Sequence, residues 1–214
     1  MLAFVWISAL LIALTVHEFS HALVGKWRGD DTAEQMGRLT LNPLAHLDLW
    51  GTIMLLTIGI GWAKPVPFAP NNLKNPLYDG LLIALAGPAS NLVMAIIAGL
   101  LFQLFSSTGW LDMTTLLGAF LVLSVYVDMI LMVFNLIPIS PLDGSKVIDV
   151  ITYKTGFEWV AHWLALNGPK IMLILIIASL VTPLDPFFFI HSLTSFSCTH
   201  LLGTSCDVAL SVYF

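Results

Sequence analysis

The chain has 214 residues, of which 58% are hydrophobic and 10% are charged, with a formal net charge of −5. An ordinary soluble domain carries about 25% charged residues, so this composition is typical of an integral membrane protein and leaves no room for a separate soluble domain. The eight basic residues are scattered, which argues against nucleic-acid binding. We therefore expect one domain over residues 1–182, embedded in a lipid bilayer.

The first predicted membrane span covers about residues 2–24 and is followed by Lys26 and Arg28. Basic residues mark cytoplasmic ends under the positive-inside rule, so this helix is expected to enter from the outside. The segment lacks a basic amino-terminal region and a small-residue cleavage site, which indicates a retained span rather than a secretory signal.

The cytoplasmic part of this span carries the sequence HEFSH at residues 17–21. Residues i and i+4 of a helix share a face, so His17 and His21 can bind one metal ion while Glu18 lies beside it as a general base. A charged side chain at membrane depth costs about 2.5 kcal/mol or more, and such residues therefore indicate function. The alternatives are chance and a hydrogen-bonded histidine pair in the core. The pattern favours a zinc site.

Two short segments follow the first span. Residues 36–48 alternate weakly in polarity and contain Asn42 and Pro43, which predicts a small extended, β-like element near the cytoplasmic face. Residues 49–60 are apolar but too few to cross about 30 Å of hydrocarbon, so we expect a re-entrant or interfacial segment. Residues 61–76 contain four prolines and two lysines, which indicates an irregular loop.

Three further spans are predicted at about residues 80–105, 115–137 and 159–181. Lys146 and Lys154 follow the third span of the chain and place its end in the cytoplasm. The chain is thus predicted to be an all-α polytopic membrane protein with about four transmembrane helices. Residues 183–214 form a tail to which the sequence assigns no role. It is a fifth hydrophobic segment, a disordered end or the product of an altered reading frame.

Asp143 is the candidate for a third metal ligand. A catalytic zinc usually has three protein ligands and a water, so two histidines need a partner, commonly a carboxylate. Asp143 follows a helix broken by Pro138 and Pro141 and precedes Gly144, and irregular backbone of this kind can turn a side chain toward a polar cavity. The alternative is a solvated helix end or a helix cap. The predicted depth matches that of the two histidines.

Five segments resemble, in order and spacing, the site-2 protease family of intramembrane zinc metalloproteases, peptidase family M50. They are HEFSH, GRLTLNPLAHLD, GWAKPVPF, AGPASN and FNLIPISPLDG. The resemblance covers about residues 10–155 and follows the pattern of small bacterial members without a PDZ insert. Pro138, Asp143 and Gly144 match the family's Asn-Pro-Asp-Gly signature, spelled here LIPISPLDG, whereas the tail after about residue 183 matches nothing in the family.

The resemblance implies that His17, His21 and Asp143 bind one Zn²⁺ per chain and that Glu18 is the catalytic base. It further implies regulated intramembrane proteolysis, in which peptide bonds within or near transmembrane segments of other proteins are hydrolysed. The expected location is the bacterial inner membrane, with the active site toward the cytoplasm. The partners are then a transmembrane protein substrate and the bilayer; the sequence does not indicate an oligomeric state.

Two asparagines are further candidates for the catalytic site. The resemblance implies that Asn91 and Asn135 contact the substrate or the developing oxyanion. An interhelical hydrogen bond is the alternative for each. Asp128 lies two helical turns before Asn135, so it either lines the cavity and relays protons or bonds a neighbouring helix.

Two other classes of membrane protein are alternatives to a protease. A transporter with an ion site in broken helices predicts inverted repeats, which the sequence lacks, and gives Glu18 no special role. A catalytically silent binding module is expected to have lost Glu18 or a ligand, and the sequence retains them all. An intramembrane zinc endopeptidase is therefore the favoured reading.

Overall fold

The computed structural model describes residues 2–58, 61–112, 115–183, 185–203 and 211. These residues form α-helices, two short 3-10 helices and no β-strand. The α-helices are α1 (Leu2–Arg28), α2 (Thr32–Gln35), α3 (Leu49–Ile58), α4 (Pro76–Ser107), α5 (Leu116–Asn135), α6 (Ser145–Thr155), α7 (Glu158–Val181) and α8 (Phe188–Leu202). The prediction of an all-helical protein is confirmed.

Four of these helices, α1, α4, α5 and α7, are long and apolar enough to cross a membrane. The shortest has 20 residues. At 1.5 Å per residue it is about 30 Å long, which equals the thickness of the hydrocarbon core. The four overlap the predicted spans, and their ends lie within about four residues of the predicted ends.

Helices α1, α4 and α5 pack together as the core of the molecule, and α4 runs antiparallel to α1. At one end, Arg28 at the end of α1 forms an ion pair of 2.5 Å with Asp79 in the first turn of α4. At the other end, Val5 of α1 belongs to the same buried apolar cluster as Phe102 of α4 and Val125 of α5. We call the first the site end and the second the far end of the core.

The face of α4 that meets the other helices carries mainly small residues. These buried residues recur every three or four positions and are Ala84, Gly87, Asn91, Ala95 and Ala98. Small side chains allow helix backbones to approach closely, which is the usual way in which membrane helices gain packing energy. The close approach sets the distance between α4 and the HEFSH segment of α1.

Helix α7 differs from α5 although both are apolar. In the most apolar stretch of each helix, 61% of the residues are buried for α5 and 11% for α7. Among the helices described, α7 packs on α6 alone. Gly168 of α7 also lies close to the segment after α5, since an added Cβ there would lie 2.4 Å from the carbonyl oxygen of Ser140. Many apolar side chains of α7 are exposed, among them Trp159, Leu166, Leu173 and Val181.

The prediction of a β-like element over residues 36–48 is not supported. Pro43–Ala45 form a 3-10 helix, which Asn42 caps by accepting a hydrogen bond of 3.1 Å from the Leu44 amide. Within the described residues, extended pairing is limited to an isolated bridge between Leu47 and Ala63. The Asn-Pro pair favours a turn over a strand, and the prolines after residue 64 remove the amide donors that a ladder needs.

The prediction of a re-entrant segment over residues 49–60 is not supported. Leu49–Ile58 form the ten-residue helix α3, about 15 Å long. Residues 59 and 60 lie outside the described residues. Leu49, Trp50 and Leu56 are exposed, and the helix does not turn back on itself because no glycine or proline interrupts its last two turns.

Part of the tail belongs to the bundle. Helix α8 packs against α4 and α5. Its residues Thr194, Cys198 and Leu202 are buried, and Gln103 of α4 donates a hydrogen bond of 2.9 Å to the Leu201 carbonyl. Residues 188–202 therefore fold as a fifth apolar helix, which is one of the alternatives that the sequence left open.

Candidate metal centre

Helix α1 presents two histidines to the interior of the core. His17 and His21 lie one helical turn apart, and their Nε2 atoms are 3.0 Å apart. Their rings pack edge to face with centroids 4.6 Å apart. Both residues are buried, with 4% and 8% of their surface exposed. The helical spacing read from the sequence thus brings two ring nitrogens to one point.

Asp143 reaches the same point from the segment between α5 and α6. Its Oδ2 atom lies 3.3 Å from Nε2 of His17 and 3.4 Å from Nε2 of His21. Among the described residues, these three are the group of histidine, cysteine and acidic side chains whose ligand atoms converge closely enough to hold a metal ion. We call His17, His21 and Asp143 the metal triad.

The dimensions of the metal triad fit zinc. Ligands 2.0 to 2.2 Å from a tetrahedral ion are separated from one another by about 3.3 to 3.6 Å, and the observed separations are 3.0, 3.3 and 3.4 Å. Oδ2 of Asp143 is buried and makes no conventional hydrogen bond. A buried carboxylate oxygen without a donor is costly unless a cation neutralises it.

The other ring nitrogen of each histidine fixes its tautomer. Nδ1 of His21 donates a hydrogen bond of 2.7 Å to the Ile83 carbonyl, and Nδ1 of His17 donates one of 2.6 Å to Oδ1 of Asn91. A carbonyl oxygen only accepts, so the proton lies on Nδ1 and the lone pair on Nε2. Both Nε2 lone pairs are therefore available to a metal ion, as in protein zinc sites whose histidines are held by a second hydrogen bond.

Local structure at the end of α5 explains why Asp143 turns back toward the histidines. The Gly144 amide donates a hydrogen bond of 2.7 Å to the carbonyl of Asn135, the last residue of α5. An added Cβ at Gly144 would lie 2.3 Å from the Leu136 carbonyl oxygen, so the chain can pass here only as glycine. Prolines 138 and 141 keep the helix from continuing.

Gly87 of α4 lies against the metal triad, and the sequence interpretation did not include it. An added Cβ at this position would lie 2.4 Å from Nε2 of His21 and 2.6 Å from Nε2 of His17. Any side chain there would occupy the space of the imidazoles. A signal was present, because Gly87 precedes Asn91 by four residues and so shares its helix face.

A cavity of about 510 Å³ opens onto the metal triad. Glu18 and Asn135 line it together with the triad, and the rest of the wall is largely apolar, including Leu14, Trp62, Val66, Phe68, Ile83 and Leu131. Glu18 is 8% exposed. The arrangement places a carboxylate, three candidate metal ligands and an amide around one cavity.

Arg38 holds one wall of this cavity and was not singled out in the sequence. Its guanidinium is buried and donates hydrogen bonds to the carbonyls of Pro65, at 3.1 Å, and Lys64. The segment that it holds runs through Trp62 and Phe68, both of which line the cavity. Arg38 thus fixes the backbone of a segment that lines the cavity.

The two asparagines lie in different places. Asn135 lines the cavity, and its Nδ2 donates a hydrogen bond of 3.0 Å to the Leu131 carbonyl. Asn91 is fully buried behind His17, and its Nδ2 donates to Oδ1 of Asp128 at 2.7 Å and to the Ala13 carbonyl at 3.3 Å. For Asn91 and Asp128 the structure therefore shows interhelical hydrogen bonds away from the cavity.

The amino-acid sequence is similar to those of several bacterial proteins. The chain is 42% identical over 144 residues to YwhC of Bacillus subtilis (strain 168), covering 65% of each protein. It is 31% identical over 149 residues to Rip2 of Mycolicibacterium smegmatis, covering 67% of this chain and 55% of Rip2. A match to Rip2 of Mycobacterium tuberculosis spans 153 residues at 31% identity, with the same coverage. Each relative bears the name "Putative zinc metalloprotease".

No family model matches the chain, and no solved structure matches it. The chain spans about two thirds of the length of YwhC and just over half of that of Rip2. The names of these relatives and the geometry of the metal triad together support a zinc metallopeptidase with hydrophobic helices suited to a membrane.

Proposed function

We propose that the chain is an intramembrane zinc endopeptidase of the site-2 protease family, which hydrolyses peptide bonds within or near transmembrane segments of other proteins. One observation carries the proposal: Glu18 and the metal triad line a single, mostly apolar cavity within the helical core. His21 and His17 lie about 10 and 17 Å along α1 from Arg28 at its basic end. The site is thus at the depth of the hydrocarbon core rather than at a helix end.

The residues of the cavity divide the chemistry among them. A zinc ion bound by the metal triad supplies Lewis acidity and a water whose pKa is lowered toward 7. Glu18 accepts the proton of the attacking water and returns it to the leaving amine. Asn135 keeps a second amide hydrogen free of its bond to Leu131 and can donate it to the developing oxyanion, a contribution of about 3 kcal/mol in other hydrolases.

A transmembrane substrate has to be extended before it is cut, because the carbonyls of a helix are shielded by its own hydrogen bonds. The segment of residues 62–68, which forms neither a helix nor a strand, runs along the cavity and is held by Arg38. Its free backbone groups can pair with an unwound peptide, and its prolines confine it to an edge. This supports an endopeptidase that receives its substrate as a strand.

The charges support an active site toward the cytoplasm of a bacterial inner membrane. Lys26 and Arg28 end α1, and Arg28 is joined to Asp79 at the start of α4. Lys154, after α5, lies 5.6 Å from the ring of Tyr78 in the same turn of α4. Basic residues thus gather at the site end of the core, which the positive-inside rule assigns to the cytoplasm.

Glu18 separates this proposal from its competitors. An ion transporter needs ligands and a path but no base beside them, and a silent binding module needs no metal-adjacent carboxylate. Here the carboxylate lies in the same cavity as the metal triad. Regulated intramembrane proteolysis, with one zinc per chain, accounts for all of these residues.

The test compares wild type with Glu18→Gln, both purified in detergent. The substrate is a single-span test protein whose apolar helix is interrupted by Gly-Pro, and zinc is measured by elemental analysis. We expect about one zinc in each protein and a rate of cleavage lowered by about 10² to 10⁴-fold in the variant. Glu34→Gln, which alters an exposed residue paired with Lys26, is the control. Equal cleavage by Glu18→Gln and wild type would refute the mechanism.

A further inference from the structure

A chain of hydrogen bonds leads from the metal triad into the middle of the core. Nδ1 of His17 donates to Oδ1 of Asn91 at 2.6 Å, and Nδ2 of Asn91 donates to Oδ1 of Asp128 at 2.7 Å. Asn91 is 0% exposed and Asp128 is 2% exposed. The three residues lie on α1, α4 and α5, so the chain crosses all three helices of the core.

The orientation of the Asn91 amide decides what His17 can do. If the amide were turned over, Nδ2 would face Nδ1 of His17 and donate to it. The ring would then carry its proton on Nε2, and Nε2 would have no lone pair for a metal ion. The observed orientation keeps Oδ1 toward His17 because the amide hydrogens are directed at two acceptors, Asp128 and the Ala13 carbonyl.

The two histidines differ in what keeps the proton on Nδ1 and the lone pair on Nε2. Nδ1 of His21 donates to the Ile83 carbonyl, a backbone oxygen that cannot be exchanged for a donor. Nδ1 of His17 faces a side-chain amide, which can be turned over. A second acceptor behind the amide is needed for His17 and not for His21, and Asp128 is that acceptor. At 2.7 Å its bond to Asn91 is much shorter than the 3.3 Å bond to Ala13.

We propose that Asp128 is a positioning residue of the metal centre: it holds the Asn91 amide in the orientation that keeps the metal-binding lone pair on His17. The inference rests on the proposed zinc site and adds a residue that lies outside the cavity. Asp128 acts through Asn91 and touches neither the ion nor the substrate. An ordinary interhelical hydrogen bond would stabilise the core without affecting how tightly zinc is bound.

The experiment measures the zinc dissociation constant by competition with a chromophoric chelator, using the full chain in detergent. Asp128→Leu removes the acceptor at similar volume, and we expect zinc binding to weaken by about 10 to 100-fold, as for other supporting partners of metal-bound histidines. Asp128→Asn retains a carbonyl acceptor and is expected to stay within about threefold of wild type. Cobalt(II) absorption, which reports the ligand set, should change in Asp128→Leu alone.

The matched control is Val125→Ala on the same helix, a fully buried residue of the far end. It is expected to lower the temperature of unfolding without changing zinc affinity. Wild type that binds no zinc would refute the proposed function itself. Wild-type affinity in a folded Asp128→Leu protein would overturn the inference and leave the zinc site intact.

A second variant covers the case in which Asp128→Leu does not fold. The exchange Asn91→Asp with Asp128→Asn reverses the pair: the carboxylate at 91 accepts from His17, and the amide at 128 donates to that carboxylate. We expect this double variant to bind zinc within about threefold of wild type. If it folds but binds zinc more than about tenfold more weakly, the positioning role is refuted.

Discussion

The site end and the far end of the core are built from the same three helices in different ways. The far end is a cluster of apolar side chains, among them Val5, Phe102 and Val125. The site end contains buried polar side chains, among them His17, Glu18, His21 and Asp79, and it is completed by Arg38 and Asp143 from segments outside these helices. Apolar packing tolerates swaps of similar volume, whereas a buried polar network loses stability when one partner is removed.

The difference indicates which substitutions should change the geometry of the metal site and which should change only the stability of the fold. At the far end, a substitution should lower the free energy of unfolding without changing the affinity for zinc. At the site end, a substitution at or beside the metal triad should weaken zinc binding, whereas one in the surrounding polar network should lower the free energy of unfolding. The following predictions test that division in order of expected effect.

The largest effect is expected for Asp143→Ala, which removes one of three ligands. Two histidines alone make a weak site, so the zinc content of the purified protein should fall from about one per chain to a small fraction. Elemental analysis measures it. Asp149→Ala, which removes a half-buried partner of Lys146 one turn into α6, should keep its zinc. Full zinc content in a folded Asp143→Ala protein would place the ion elsewhere.

Gly87→Ala should come next. The new methyl group would overlap both imidazoles, and overpacking of this kind costs about 1 to 3 kcal/mol, equivalent to about 5 to 150-fold in zinc affinity. Gly25→Ala is the matched control, since its nearest neighbour would lie 3.8 Å away in ordinary contact. Chelator competition distinguishes the two, and equal affinities would show that the rings can move aside.

Arg38→Gln tests the wall of the cavity. The change leaves the carbonyls of Lys64 and Pro65 without their charged donor, and we expect the free energy of unfolding to fall by about 2 kcal/mol. Cleavage of residues 61–68 by an added protease should accelerate. Lys26→Gln, in an exposed ion pair with Glu34, should cost less than about 0.5 kcal/mol. Similar losses in both variants would contradict a special role for Arg38.

The smallest effect concerns Asp30, outside the spans at the site end. Burial alone would raise the pKa of this carboxyl group, but hydrogen bonds from Thr32, Asn72 and the Ala69 amide outweigh it and lower the pKa. A lowered pKa stabilises the fold above the unfolded value of about 4, and this contribution is lost as the pH falls through the folded pKa. Asp30 thus ties the end of α1 to the loop before α4.

Asp30→Asn should therefore be less stable than wild type by about 1 kcal/mol at pH 7, and the difference should shrink as the pH falls below about 4. Thermal unfolding at several pH values measures it. Asp31→Asn alters the neighbouring exposed residue, whose side chain accepts a single hydrogen bond from Gln35, and serves as the control. A difference that is constant with pH would rule out the carboxylate as the cause.

The sequence predicted those parts of the site that depend on local spacing. Helical periodicity places His17 and His21 on one face, and proline interruption with a glycine predicts the turn that carries Asp143. The structure brings the three together. The position of Asn91 could not be read in this way, because whether its amide faces the cavity or the neighbouring helix depends on how α4 rotates against α1.

The remaining differences between sequence and structure have both local and long-range origins. Weak alternation over residues 36–48 suggested extended backbone, but Asn42 and Pro43 impose a 3-10 turn locally. The tail could not be placed from its composition, because α8 is held by contacts with α4 and α5. One of these contacts joins Gln103 to Leu201, which are 98 residues apart in the sequence. Buried Arg38 gave no local signal, as its partners are backbone carbonyls.

Gly87 bears on any attempt to transfer this centre to another scaffold. Grafting HEFSH onto one helix and an aspartate onto a loop would reproduce the ligands but not the space that they occupy. The recipient would also need a residue without a side chain on the facing helix, because an alanine there already intrudes on both rings. A designer who copied only the groups that bind the ion would therefore copy an incomplete site.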